Sequence, residues 1–221
     1  MTGPQNTASK RITIKMFSIN KKYLISFFIV MSLAVFGLQA KAQDYSQVTD
    51  DQNIIKALDL LRETTGEWSR EAILGNNLTG EPIKISFADL SKISKAYSTY
   101  EALSWIKNKQ LLIFISHKHK KAPPEVLACI LAHEAIHQDE YLSLKEEAYG
   151  WATEADVWIQ LKAKNPELSK LSEKDSPLVA RLNMLEESFR KGNYTTDEIE
   201  PLVAKNPAYR NLPLTSYGFG R

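Results

Sequence analysis

At 221 residues, with 43% hydrophobic and 24% charged side chains, the chain has the balance of a soluble globular protein long enough for one ordinary core. Six of its 28 basic residues and none of its 26 acidic ones fall within residues 1–42, so the remainder carries 22 basic against 26 acidic side chains, a formal charge of −4. That balance speaks against nucleic acid as a partner, and the single Cys129 excludes an internal disulfide.

The acid-free start contains the longest apolar run in the sequence. From Met16 onward there is a basic start at Lys21 and Lys22, an apolar stretch from about Tyr23 to Leu38, and Ala40-Lys41-Ala42 as a small-x-small cleavage signal. This is the pattern of a secretory signal peptide, and the stretch is shorter than the roughly 20 residues a spanning helix needs. Residues 1–42 are therefore expected to be a leader, with an over-extended start before Met16. Residues 43–221 are expected to form one exported domain, secreted or periplasmic, with no membrane attachment once the leader is removed.

Ile54, Ile55, Leu58 and Leu61 recur at helical spacing behind Thr49-Asp50, which predicts a first helix over Asp50 to Arg62. After the breaker-rich GNNLTGEP, the alternating IKISF (residues 83–87) suits a half-buried strand, and Leu90 to Tyr97 a short helix or turn. Two apolar or alternating runs flank Asn108-Lys109 in YEALSWIKNKQLLIFIS, which predicts a β-hairpin ending in an apolar strand from Leu111 to Ser116. Two or three antiparallel strands are thus expected. HKHKK at 117–121 reads as a solvated turn. Pro123 and Pro124 then mark the start of a helix, with Glu125 favourable at that end of the dipole, and this helix is expected to run through residue 137. Beyond Leu161, further helices are expected from about Pro177 to Lys191 and from Thr196 to Lys205, followed by an aromatic tail, all packed around the same core. The fold class is α+β.

HEAIH places His133 and His137 four residues apart, on one face of a helix and within reach of one ion, with Glu134 about 100° around. Val126 and Ile130 share that arc, so the histidine face is also the buried face. A core pair satisfied only by each other would be costly, because buried polar groups need bonding partners. Two histidines and one neighbouring acid point instead to a metal, and zinc suits that donor set.

A catalytic zinc takes a third protein ligand. The metzincin continuation is absent, since Glu140 and Ser143 occupy the places of its glycine and third histidine. SLKEEAYGWATEADVW offers Glu146, Glu147 and Glu154 on a following helix. Ser143 to Glu146 has capping-box spacing, which gives Glu146 a structural task at the helix start. Leu144, Ala148, Trp151, Ala155 and Trp158 define the apolar face; Glu147 lies about 70° from its centre and Glu146 almost opposite. Glu147 is the expected ligand, with Glu146 and Glu154 as alternatives. Glu154, two turns on, is either a carboxylate orienting one histidine or a surface acid. Asp156 lies off that face, and Trp151 and Trp158 are expected in the core.

HEAIH followed by a glutamate on the next helix resembles the gluzincin branch of zinc metallopeptidases. The nine-residue interval between His137 and Glu147 resembles its compact, minigluzincin-type members. The likeness covers about residues 83 to 162. It lacks the N-E-x-x-S-D word of the thermolysin-like group, and Ala152 stands where an E-x-x-A-D reading ending at Asp156 would require glutamate.

The resemblance implies a zincin-like fold, a small antiparallel or mixed sheet with an edge strand packed on the motif helix, and a Zn²⁺ cofactor on His133 and His137. It also implies Glu134 as general base for hydrolysis of a peptide or protein substrate. The strand Leu111 to Ser116 is expected to line the cleft and pair with extended substrate. His117, His119, Tyr141, Tyr149 and the tail tyrosines are candidate donors to the developing oxyanion. The contrasting expectation is a non-catalytic, zinc-stabilised module that binds a peptide or a cell-envelope partner. Glu134 distinguishes the two, since a purely structural site closes its fourth position and has no use for a base.

Overall fold

The computed structural model describes residues 44–75 and 80–220, so the expected leader lies outside the described residues. Helix α1 (Gln52–Leu61) starts two residues later than the spacing suggests. The Asp51 carboxylate, not Thr49-Asp50, accepts from the amides of Asn53 (2.9 Å) and Ile54 (3.2 Å) and caps it. Ile54, Leu58 and Leu61 are fully buried, as their periodicity requires. A short α2 (Glu67–Ile73) follows.

Strands β1 (Lys84–Ala88), β2 (Ala102–Lys107) and β3 (Gln110–Ser116) form a sheet in the order β1-β3-β2. β2 and β3 are antiparallel around a two-residue turn in which Asn108 and Lys109 both have positive φ (53° and 65°), the geometry that matches strand twist. β1 pairs parallel to β3, so the sheet is mixed rather than antiparallel. The 3-10 turns Leu90–Lys92 and Lys95–Tyr97 occupy the connection that allows this.

This order corrects the expected edge strand. Leu111 to Ser116 has neighbours on both sides, and β2 carries the free edge beside the motif helix. The pair Lys107–Gln110 flanks the turn and Glu101 carbonyl accepts from Ser116 N–H (2.9 Å), so Leu103 and Trp105 bond towards β3. Ala102, Ser104 and Ile106 turn their backbone groups outward.

Helix α3 (Pro124–Glu134) is buried from Val126 to its end and packs against α1, α2, β2 and α4 (Leu144–Lys164). No face of α3 is solvated, because sheet, α1 and α4 enclose it. Helix α4 has two buried faces. Val157, Trp158 and Leu161 join the main core, while Ala148, Trp151, Ala152 and Ala155 form a second cluster with α5 (Leu178–Lys191) and α6 (Glu200–Lys205). Among the described residues no helix is long and apolar enough to cross a membrane. HKHKK is not wholly solvated: His119 is fully buried against Glu101, which also pairs with Lys118 at 2.7 Å.

Lys109 adopts a left-handed conformation without glycine's freedom. Lys109→Gly, giving the favoured Asn-Gly pair, is expected to stabilise the protein by about 0.5–1 kcal/mol, read as a raised urea midpoint with unchanged slope.

Candidate metal centre

The α3 helix ends inside the motif rather than running through it. Glu134 is its last residue, and Ile136 N–H donates to His133 carbonyl (2.9 Å), tightening the closing turn so that His137 lies just beyond the helix. The imidazoles still meet. His133 Nε2 and His137 Nε2 are 3.1 Å apart, and both residues are buried.

Glu147, in the first turn of α4, completes the group. Its two oxygens lie 3.5 Å from His133 Nε2 and 3.6 Å from His137 Nε2. Glu147 Oε2 is buried without a hydrogen-bond partner. His133, His137 and Glu147 thus form a buried triad whose ligand atoms all lie within 4.8 Å of one another, a group that can hold a metal ion.

Both remaining glutamates of α4 serve the histidines. Glu154 Oε1 accepts from His133 Nδ1 at 2.5 Å, and Glu146 Oε1 accepts from His137 Nδ1 at 2.9 Å. Glu154 is therefore the orienting carboxylate and not a surface acid. It is also paired with Arg181 of α5, whose guanidinium sits 5.0 Å from the Trp151 ring centroid. Glu146 departs from expectation. Ser143 Oγ accepts from its amide (3.2 Å), as in a capping box, but its carboxylate turns to His137 and Ser216 instead of reaching back.

With both Nδ1 atoms donating to carboxylates, neutral imidazoles aim two Nε2 lone pairs at each other. That arrangement needs a cation between them. Without metal, a proton supplies it. Burial works to lower the His133 pKa, but the Glu147 and Glu154 carboxylates outweigh it and raise the value from 6.5 to about 10. Glu147 moves the opposite way: burial would raise its pKa, yet the close approach and charge of His133, with the charge of His137, hold it below the usual range. The separations suit a divalent ion as well, since a tetrahedral site with bonds of about 2.0–2.1 Å has edges of about 3.3 Å. Two nitrogens and a carboxylate are a zinc-type donor set, and four buried glutamates around one guanidinium favour a positive guest.

Glu134 is buried beside this group and lines a cleft of about 430 Å³ together with His133, His137 and Glu147. Ser104 Oγ, on β2, lies 2.9 Å from Glu134 Oε2 and 2.7 Å from its carbonyl, so its one proton ties strand to motif. The other cleft wall is the tail around Ala208, Tyr209 and Leu212. Tyr209 is half-buried facing Glu147, and burial, then that charge, push its hydroxyl pKa up. Tyr141 and Tyr149 are exposed, His119 belongs to the Glu101 pair, and neither they nor His117 line the cleft. Ser104, Arg181 and Ser216 carry no local signal in the sequence, because each acts from a separate element on a residue 27 or more positions away.

Compared with protein-family models, curated proteins and solved structures, the chain matches none.

Gly150 allows α4 to approach, since a Cβ there would meet the His133 ring at 2.7 Å. Gly150→Ala is expected to weaken divalent-metal affinity about tenfold or more, measured by chelator competition. Ion and proton also compete for His133. Because its raised pKa leaves it protonated below about 10, uptake of a divalent ion near neutrality is expected to release about one proton, with affinity rising about tenfold per pH unit. By the same sign, metal-free protein loses stability as pH climbs from 6.5 towards about 10, seen in thermal melts across that window.

Proposed function

We propose that the chain is an exported zinc-dependent peptidase with His133, His137 and Glu147 as ligands and Glu134 as general base. The observation that carries this is the convergence of two carboxylate-anchored imidazoles and a partnerless Glu147 oxygen on one point at the floor of a cleft, with a further carboxylate beside them. The export signal in residues 16–42 supports an extracytoplasmic location. A bound zinc supplies Lewis acidity, polarising a carbonyl and making the attacking water more acidic.

The protein's own groups account for the rest. Glu134 takes a proton from the attacking water and returns it to the leaving amine, with Ser104 restricting its carboxylate to one orientation. The outward backbone groups of Ala102, Ser104 and Ile106 offer an extended peptide a strand to pair with, in the role expected of Leu111 to Ser116. Tyr209, kept protonated by burial and by Glu147, stands at the cleft as a donor to the oxyanion.

Glu134→Gln separates peptidase from zinc-stabilised binding module. Zinc content is expected to stay at the wild-type level while hydrolysis of a fluorogenic peptide library falls about 10²–10⁴-fold. Retained hydrolysis in that variant overturns the peptidase reading, and wild-type protein purified without chelators and free of zinc overturns the metal reading. Glu147→Ala is expected to lose zinc. Tyr209→Phe is expected to lower kcat about 10²-fold with KM and zinc content little changed.

A further inference from the structure

The structure assigns Ser216, in the C-terminal tail, a positioning role: its hydroxyl fixes the Glu146 carboxylate that holds His137 in its metal-binding orientation. This rests on the zinc reading above.

Ser216 is unusual in its segment. It is 4% exposed, whereas its neighbours Leu214 and Tyr217 are 62% and 84% exposed. The tail delivers it by filling the start of α4, where Leu144 N–H donates to Pro213 carbonyl (2.9 Å) and Lys145 N–H to Leu214 carbonyl (3.1 Å). Phe219 N–H then closes a turn on the Ser216 carbonyl (3.0 Å), and the Phe219 ring packs 5.7 Å from Tyr149.

The donors around Ser216 form a closed ring with one direction. Glu146 N–H donates to Ser143 Oγ at 3.2 Å, Ser143 O–H to Ser216 Oγ at 2.9 Å, and Ser216 O–H to Glu146 Oε2 at 3.0 Å. The ring uses both hydroxyl protons once. Glu146 Oε1 is left for His137 Nδ1, so both carboxylate oxygens are engaged in the interior and a single rotamer satisfies them. Removing the Ser216 hydroxyl strands Glu146 Oε2 in a buried place and frees the carboxylate to turn away from His137.

Zinc dissociation constants from competition with a chromogenic chelator test this in wild type, Ser216→Ala, Ser216→Thr, Glu146→Ala and the double Ala variant. Ser216→Ala is expected to raise Kd about 10–100-fold, and Ser216→Thr, which keeps the hydroxyl, to restore it to within about threefold. If Ser216 acts through Glu146, adding Ser216→Ala to Glu146→Ala changes Kd less than about twofold. Should Ser216→Ala fail to fold, Ser216→Cys replaces the hydroxyl by a weak donor of similar shape and is expected to raise Kd in the same direction. Wild-type affinity in the alanine or cysteine variant, or an equal loss in both Glu146 backgrounds, overturns the role while leaving the zinc site standing. Wild type without zinc is the different result that removes the site itself.

Discussion

Two hydrogen bonds set the character of the interior: His133 Nδ1 to Glu154 and His137 Nδ1 to Glu146. Each commits an imidazole to one tautomer and one ring plane, so the opposite nitrogens face each other 3.1 Å apart. A helix alone does not do this. His137 is beyond the end of α3, and its position depends on α4 lying close enough for Glu146 to reach it. That closeness depends in turn on small residues, above all Gly150, whose missing side chain is occupied by the His133 ring.

The cost of such an interior is spread over the molecule. Glu134, Glu146, Glu147 and Glu154 are all buried, and buried carboxylates without partners would be prohibitive. Glu154 is answered by Arg181 of α5, Glu134 by Ser104 of β2, and Glu146 by Ser216 of the tail. Of these four, Glu147 has a fully buried oxygen without a partner, and Glu147 is the one that shares the space between the histidines. Among the described residues, Arg181 Nε and Trp151 Nε1 behind Glu154 are also buried without a hydrogen-bond partner, but Glu147 Oε2 is the one such atom that faces the paired imidazoles.

What could be read from the sequence was whatever has a period or a short spacing. The Ile54, Leu58, Leu61 stripe, the Asn108-Lys109 hairpin and the HEAIH word each lie within one element, and the α+β fold, the motif helix and the Glu147 neighbour follow from them. Strand order was not legible, since a parallel β1–β3 pair depends on a crossover and leaves no periodic trace. Glu146 was misplaced for a related reason. The apolar stripe from Leu144 to Ala155 marks where α4 meets its own second cluster, but α4 is buried on a second side as well. That side runs Glu147, Gly150, Glu154, Val157, Leu161, acidic at one end and apolar at the other. A wheel that ranks faces by hydrophobicity treats its acidic end as solvent.

That second stripe also explains why the site lies where it does. Its apolar half locks α4 onto α3 within the main core, which fixes the distance between the helices along their length. The acidic half then has no choice of partner, because the same rigid approach puts Glu147 and Glu154 over the end of α3, where the histidines emerge. An ion bound there would stabilise the folded chain in proportion to the logarithm of its free concentration over Kd, through contacts that touch α3, α4 and, by way of Glu154 and Glu146, α5 and the tail. Binding and tertiary packing are thus one equilibrium in this molecule, and the cleft walls are held by the same bonds that aim the ligands.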